Sequence, residues 1–211
     1  MYLSRVQLNL QKRKTLKALS SLNLFHGAVE TCFNGERGRN LWRIDTLNGL
    51  FFILIVSQNI PDFTHFIDQF GYENDESSYA TKDYQPFIDN ISAGQKWNFR
   101  LTANPTNYIN QGQTVRGKIV AHITTTHQKA WLMKKAESNG FTLSEMDFDI
   151  VKSEWFSFRK KTQGPRVTML AVTYEGMLTV TDPLLFRKVL VNGLGREKAY
   201  GMGMLTVVKA R

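Results

Sequence analysis

The chain has 211 residues, of which 42% are hydrophobic and 12% aromatic, so it is long and apolar enough to bury a core and is not disordered. It carries 27 Lys and Arg against 18 Asp and Glu, and this net charge of +9 favours a polyanionic partner such as nucleic acid. The single cysteine excludes an internal disulfide and a thiolate metal cage, and no apolar run is long enough to cross a bilayer, so we expect a cytoplasmic protein without membrane contact.

The positive charge is concentrated in particular segments of the chain. Residues 95–211 hold 18 basic and 8 acidic residues, whereas residues 44–94 hold 1 basic and 8 acidic residues. Such asymmetry predicts a nucleic-acid-binding face in the second half. The acidic segment is expected to lie on the far side of the first half or to contact a protein partner.

The first half of the sequence predicts a βαββα series. Alternating side chains indicate a strand from Tyr2 to Leu10, and apolar residues at steps of three and four predict a helix from Leu16 to Phe33, which Ser20-Ser21 can restart as an N-cap. The remaining elements are two strands joined by an Asn48-Gly49 turn, a short helix opened by Pro61, and a loop and linker that end near Gly94.

The second half repeats this order of elements. Trp97, Phe99 and Leu101 alternate in a strand, and a helix follows at about 126–139. Two strands, a helix capped by Asp182 with Pro183 in its first turn, and a terminal strand complete the series. We therefore predict an α+β fold of two tandem ferredoxin-like (RRM-like βαββαβ) domains with antiparallel sheets, at 1–92 and 95–211.

The loop before the terminal strand is rich in glycine and positively charged. Glycine permits positive φ and a close approach of the backbone to a bulky partner, and the two cations suit a phosphate group. Neither the Walker A motif nor the dinucleotide fingerprint fits the spacing, and from the local pattern alone a glycine-rich turn without chemistry is an equal alternative. The candidate RNA-binding residues of this loop are Gly193, Gly195, Arg196, Lys198, Gly201 and Gly203.

A second cationic segment lies between the two long strands of the second half. Arg159, Lys160, Lys161 and Arg166 flank Gly-Pro turn residues at the tip of a predicted hairpin. These four side chains are candidates for binding an RNA duplex through its phosphates; a solvated charged turn is the alternative.

Several motifs occur together in an order typical of one family. They are Met1-Tyr2-Leu3-Ser4-Arg5-Val6, Phe99-Arg100-Leu101-Thr102-Ala103-Asn104-Pro105, Ala130-Trp131-Leu132, Tyr174-Glu175-Gly176-Met177-Leu178 and the C-terminal glycine loop. The chain resembles the CasE family, the CRISPR repeat-processing endoribonucleases of the type I-E Cascade complex. The resemblance covers essentially the whole chain.

The resemblance implies a fold of two ferredoxin-like domains and a specific activity. A CasE protein binds the stem-loop of the CRISPR repeat RNA and cuts the precursor at its 3′ base without a metal or another cofactor. The 2′-hydroxyl attacks the adjacent phosphate, giving a 2′,3′-cyclic phosphate and a 5′-hydroxyl. The protein then stays on the guide RNA with the other Cascade subunits.

The resemblance also implies a catalytic residue. His26 matches the histidine that family members carry in the first helix, where an imidazole can transfer a proton during the attack. Family members have a tyrosine one helical turn earlier, and this chain has Asn23, which is no comparable acid. Asn23 and Lys198 are candidates for catalytic support. A subunit that binds the RNA hairpin without cutting it is the alternative function.

The other histidines and the acidic residues do not predict a metal site. His65, His122 and His127 lack the spacing of metal ligands, and the carboxylates are scattered or confined to the acidic segment. We therefore expect a site that works without a metal ion.

Overall fold

The computed structural model describes residues 1–33, 38–110, 117–159 and 163–210. The strands are β1 (Tyr2–Gln7), β2 (Leu41–Leu47), β3 (Leu50–Ser57), β4 (Tyr79–Asp83), β5 (Lys96–Ala103), β6 (Thr106–Ile109), β7 (Lys118–Ala121), β8 (Phe141–Thr142), β9 (Phe148–Arg159), β10 (Arg166–Val180) and β11 (Leu205–Lys209). The α-helices are α1 (Arg13–Ser20), α2 (Asn23–Thr31), α3 (Thr64–Phe70), α4 (Gln85–Asp89), α5 (Thr125–Glu137) and α6 (Pro183–Asn192).

The first sheet has the strand order β2-β3-β1-β4, and all its neighbours are antiparallel. Helices α1, α2 and α3 cover one face, where Phe25, Phe66 and Phe70 pack with Ile53 and Ile55 of β3. The Asn48-Gly49 turn is confirmed, since both residues have the positive φ that a tight hairpin of this kind needs, 51° and 77°.

The second sheet repeats this arrangement. Its order is β11-β5-β10, with β9 on the far side of β10 and the short β8 beside the end of β10. Helices α5 and α6 supply Leu132 and Phe186 to the core of this sheet. The four main strands of the first half are β1 to β4, and those of the second half are β5, β9, β10 and β11. In both sheets these strands lie in the order fourth, first, third and second, which confirms the predicted α+β fold with ferredoxin-like units.

Two regions contain strands or helices that were not predicted from the sequence. The segment predicted to be a linker contains β4, which pairs with β1 from Val6↔Tyr79 to Tyr2↔Asp83, and then α4. Residues 106–121 contain the β6–β7 hairpin, which we did not predict. No residue of β4, β6 or β7 is fully buried, and apolar and polar residues do not alternate along them, so these strands lack the pattern that identifies a buried strand.

Two predicted helix starts also differ from the structure. The first helix is interrupted where Ser20-Ser21 indicated a restart, but Ser21 does not cap α2, because its hydroxyl donates to the Asn23 side chain at 2.8 Å. The third helix begins at Thr64 instead of Pro61, since Asp62 accepts hydrogen bonds from the Thr64 amide and hydroxyl at 2.9 and 2.7 Å.

A buried arginine joins the two sheets. Arg43 of β2 is 2% exposed and forms a bidentate pair with Asp45, at 2.8 and 2.6 Å. Its guanidinium also donates to the backbone oxygens of Arg100 and Met204 and to the Thr206 hydroxyl, at 2.8, 2.9 and 2.8 Å. The edge of the first sheet is thereby fixed to β5 and β11 of the second.

The connector between α4 and β5 is bonded to the second sheet and its helices. Arg187 of α6 donates to the backbone oxygens of Asp89 and Ile91, at 2.7 and 2.8 Å. The Gly94 amide donates to the Val180 oxygen at 2.8 Å, and the Val180 amide donates to the Gln95 oxygen at 2.9 Å. The boundary between domains 1–92 and 95–211 therefore stays a proposal, since residues on both sides of it are bonded to the second sheet and its helix α6.

Within the described part of the chain, no helix combines the length and the apolar character needed to cross a membrane.

Candidate catalytic pocket and RNA-binding surface

Helix α2 places His26 at the border between the core and the solvent. Phe25, Ala28 and Val29 face the core, and Phe25 packs against Phe70 with ring centroids 5.0 Å apart. His26 lies beside this apolar stripe and is half-buried. The imidazole is thus held by a well-packed helix while part of it stays accessible to a substrate.

His26 lines a pocket of about 440 Å³ that is built from separate parts of the chain. Helix α2 contributes His26 and Glu30, the segment before β2 contributes Arg39 and Asn40, and the glycine loop contributes Lys198. An imidazole, two cations and one carboxylate therefore surround one open space. The two cations can bind a phosphate group, and the imidazole can transfer a proton beside it.

The turn that carries Lys198 is anchored by aromatic packing. Residues Lys198–Tyr200 form a 3-10 turn in which Tyr200 is buried and packs edge-on against Phe158, with ring centroids 5.1 Å apart. Burial, and then the neighbouring charges of Arg39 and Lys135, lower the pKa of the Lys198 ammonium. Lys198 is thus held among cations before any anion binds, and a phosphate group would relieve their repulsion.

The glycines of this loop have protein neighbours that explain their occurrence. Gly193, Gly195, Gly201 and Gly203 all have positive φ. A Cβ on Gly201 would lie 2.7 Å from the Trp42 ring, and one on Gly203 would lie 2.5 Å from the Leu194 oxygen. Gly201 and Gly203 are buried, so their packing shapes the loop, and the prediction that the glycines contact RNA stays a prediction.

Arg196 faces a neighbouring cavity rather than the His26 pocket. An antiparallel backbone bridge joins Arg196 to Asn104, and the Arg196 side chain lines a cavity with Lys135 of α5. Lys135 also lowers the pKa of Lys198, so the charge of this helix residue acts on both parts of the glycine loop.

Strands β9 and β10 pair as far as the base of the predicted cationic hairpin. Arg159 and Arg166 face each other in the strand register, and the Arg166 guanidinium donates to the Ser157 hydroxyl. Lys160 and Lys161 lie outside the described residues. Because Phe158 packs on Tyr200, the base of the hairpin adjoins the turn that carries Lys198.

The sequence of one relative decides the family of the chain. The CRISPR-associated endoribonuclease Cse3 of Thermus thermophilus is 30% identical over 221 residues, which cover 98% of this chain and 99% of that protein. A family profile described as CRISPR associated protein matches residues 1–209. The chain belongs to the CasE family of CRISPR-associated proteins.

Solved structures support this assignment. The CRISPR endoribonuclease Cse3 bound to a 19-nucleotide RNA has a TM-score of 0.79 and 28% identity, with 99% of this chain and 100% of that chain covered. Thermus thermophilus Cse3 bound to an RNA representing a pre-cleavage complex has a TM-score of 0.80 and 25% identity, with 98% of each chain covered. The ferredoxin-like fold thus extends over the full length of these CasE relatives.

Asn23, at the position of the family's tyrosine, does not line the pocket with His26. Its side chain accepts the hydrogen bond from Ser21 one turn before the histidine. The residues that do share the pocket with His26 include Glu30, Arg39 and Asn40. Of these, Glu30 could have been predicted from the sequence, because it is four residues from His26 and residues four apart lie on the same face of a helix.

The other histidines lie away from this pocket. His122 and His127 stack with ring centroids 5.7 Å apart, and burial and then the His127 charge lower the pKa of His122. Across the described ranges, no three or more His, Cys, Asp or Glu side chains cluster closely enough to hold a metal ion.

Proposed function

We propose that this protein is the endoribonuclease that processes precursor CRISPR RNA. It binds the repeat stem-loop, cuts the RNA at the 3′ base of the stem without a metal or cofactor, and stays on the guide as a Cascade subunit. The observation that carries the proposal is the pocket that His26 lines together with Lys198 and Arg39. The endoribonuclease name of the Thermus thermophilus relative and the RNA-bound structures of Cse3 support it.

The proposed chemistry is an attack of a 2′-hydroxyl on the adjacent phosphorus. The new bond joins the 2′-oxygen to phosphorus, and the bond to the 5′-oxygen of the next nucleotide breaks. His26 transfers a proton at one of these two oxygens, an effect worth about 10²–10⁴-fold in rate. The products are a 2′,3′-cyclic phosphate and a 5′-hydroxyl.

Lys198 and Arg39 stabilise the negative charge that develops on the phosphorane. Their side chains line the same pocket as His26, and the partial burial of Lys198 strengthens its interaction with an anion. Asn23 is already bonded to Ser21, so we assign the support that the family's tyrosine supplies to these two cations instead.

The hairpin of β9 and β10 holds the stem of the RNA. The narrow major groove of A-form RNA hides the base edges, so a cationic hairpin recognises the stem mainly through its shape and phosphates. Because Phe158 at the base of this hairpin packs on Tyr200, a stem bound by Arg159 and Arg166 would end close to Lys198. This arrangement explains a cut at the base of the stem.

The test is cleavage of the repeat hairpin from the protein's own CRISPR locus in the presence of EDTA. The wild type is expected to make one cut at the stem base and leave a cyclic phosphate. His26→Ala is expected to lose about 10²–10⁴-fold in cleavage rate while it still binds the RNA. The control is His122→Ala, which removes a half-buried histidine outside the pocket and should cleave normally.

Either of two results would contradict the proposal. Cleavage that survives His26→Ala would mean that another residue transfers the proton. Tight binding without cleavage by the wild type would identify the alternative function, an RNA-hairpin-binding subunit that does not cut. The replacement of the family's tyrosine by Asn23 favours this alternative.

A further inference from the structure

A second cavity of about 320 Å³ is lined by the same glycine loop that carries Lys198 into the His26 pocket, and the proposed cleavage reaction does not use it. Its walls come from the β6–β7 hairpin, helix α5 and the start of the glycine loop. The residues that matter here are Thr106, Tyr108, Ile119, Trp131, Lys135 and Arg196. We call it the Tyr108 pocket. Its volume is at the lower end of the range of ligand sites, about 300–1,000 Å³, so it suits a single small planar group.

An exposed aromatic ring forms one side of the Tyr108 pocket. Tyr108 is 61% exposed. It lies on a short hairpin whose neighbouring apolar residues are exposed as well. Its ring packs over Gly117, where any Cβ would overlap the ring atoms. The ring is therefore supported from the strand beside it and retains an open surface on which a planar group can stack.

The opposite side of the Tyr108 pocket is cationic. Arg196 is exposed, and its backbone is fixed by the bridge to Asn104. Lys135 is half-buried on α5 beside Trp131, which is 8% exposed and forms an apolar floor. Gly195 lets the loop close over this floor, since a Cβ there would lie 3.2 Å from the Trp131 ring.

The glycine loop links this pocket to the His26 pocket. Lys135 lies near enough to Lys198 to disfavour its charge, and Arg196 stands two residues before Lys198 in the loop. If the scissile phosphate of an RNA lies against Lys198, Arg196 and Lys135 can therefore bind a neighbouring phosphate of the same strand.

We propose that the Tyr108 pocket binds one unpaired nucleotide next to the cleaved phosphate, with its base stacked on Tyr108 and its phosphate held by Arg196 and Lys135. This inference rests on the proposed function, because it needs the scissile phosphate at Lys198. Stacking of a base on an aromatic ring is tolerant of sequence, and the cations suit its backbone. The pocket thus extends recognition from the stem to the single strand beside it.

The test compares two RNAs that cannot be cut because the attacking nucleotide is 2′-deoxy. One is the repeat hairpin with its unpaired flanks, and the other is the stem-loop alone. Tyr108→Ala is expected to weaken binding of the flanked RNA by about 5- to 150-fold and to leave binding of the stem-loop unchanged. Tyr108→Phe keeps the ring and should bind both RNAs as the wild type does.

A control and a spectroscopic readout separate stacking from a loss of structure. Tyr79→Ala removes a tyrosine of the first sheet that is 38% exposed, and it should bind both RNAs normally. In the wild-type complex, 2-aminopurine at a flanking position should lose fluorescence through stacking on Tyr108. Tyr108→Ala should restore it.

The outcomes distinguish this inference from the proposed function. Equal weakening of both RNAs, no weakening of either, no quenching at any flanking position, or a Tyr108→Phe variant as weak as Tyr108→Ala would overturn the nucleotide site. A wild type that binds neither RNA would overturn the proposed function itself.

Discussion

Replacing Arg43 by methionine should destabilise the protein strongly. The substitution removes five described hydrogen bonds: two to Asp45, one each to the backbone oxygens of Arg100 and Met204, and one to the Thr206 hydroxyl. Asp45, whose side chain is 17% exposed, then keeps one cationic partner, the Arg100 guanidinium at 3.3 Å. Breaking a buried pair from one side costs about 3–5 kcal/mol. At about 2–4 °C per kcal/mol for a chain of this size, the melting temperature should fall by about 6–20 °C.

Thermal unfolding followed by circular dichroism measures this effect. The matched control is Arg5→Met, because Arg5 is exposed and lies 5.7 Å from the centre of the Phe52 ring, a contact worth about 1 kcal/mol at most. The double variant Arg43→Met/Asp45→Leu should regain most of the stability, since it also removes the buried carboxylate that loses its two hydrogen bonds from Arg43. A melting temperature for Arg43→Met no lower than that of Arg5→Met would refute the reasoning.

Three further predictions concern the glycine loop. Lys198→Met should slow cleavage by about 10²–10³-fold. It should also raise the melting temperature at pH 7, because burial and neighbouring cations lower the pKa of Lys198, so that its charge destabilises the folded protein. This gain in melting temperature should shrink as the pH rises towards the ordinary lysine pKa. There the lysine loses its proton in the unfolded chain as well. Arg196→Gln should reduce the slope of log Kd against log salt concentration by about 0.7–0.9 in an RNA titration, as expected for one lost phosphate contact. Gly201→Ala should lower the free energy of unfolding by more than about 1 kcal/mol in a urea titration, since the residue has a φ of 78° and faces Trp42.

Local signals made part of the fold predictable from the sequence. Helix α6 begins at Pro183, and the Asp182 carboxylate accepts from the amides of Leu184 and Leu185 at 2.9 and 3.1 Å, as its position before the proline predicted. The Asn48-Gly49 turn was predictable for the same reason: both features depend on residues next to one another in the chain.

Elements without a local pattern were not predictable. Strand β4 is held by backbone pairing to β1, and its side chains alternate too weakly to distinguish it from a loop. The resemblance indicated His26 and the charged glycine loop indicated Lys198 as site residues, but no spacing in the sequence brings Lys135 close to Lys198. That proximity depends on the packing of α5 against a loop some sixty residues later.

The bonded connector between α4 and β5 has a consequence for how RNA is selected. The positions of His26 and Lys198 relative to each other are set when the chain folds, because Arg187 and Val180 hold the connector and Arg43 joins the sheets. In the proposed complex, the two sheets of the described part of the chain therefore need not rearrange, and most of the ordering entropy is lost by the nucleic acid. A repeat whose stem is already stable in free solution should therefore bind more tightly than one that must fold on the protein.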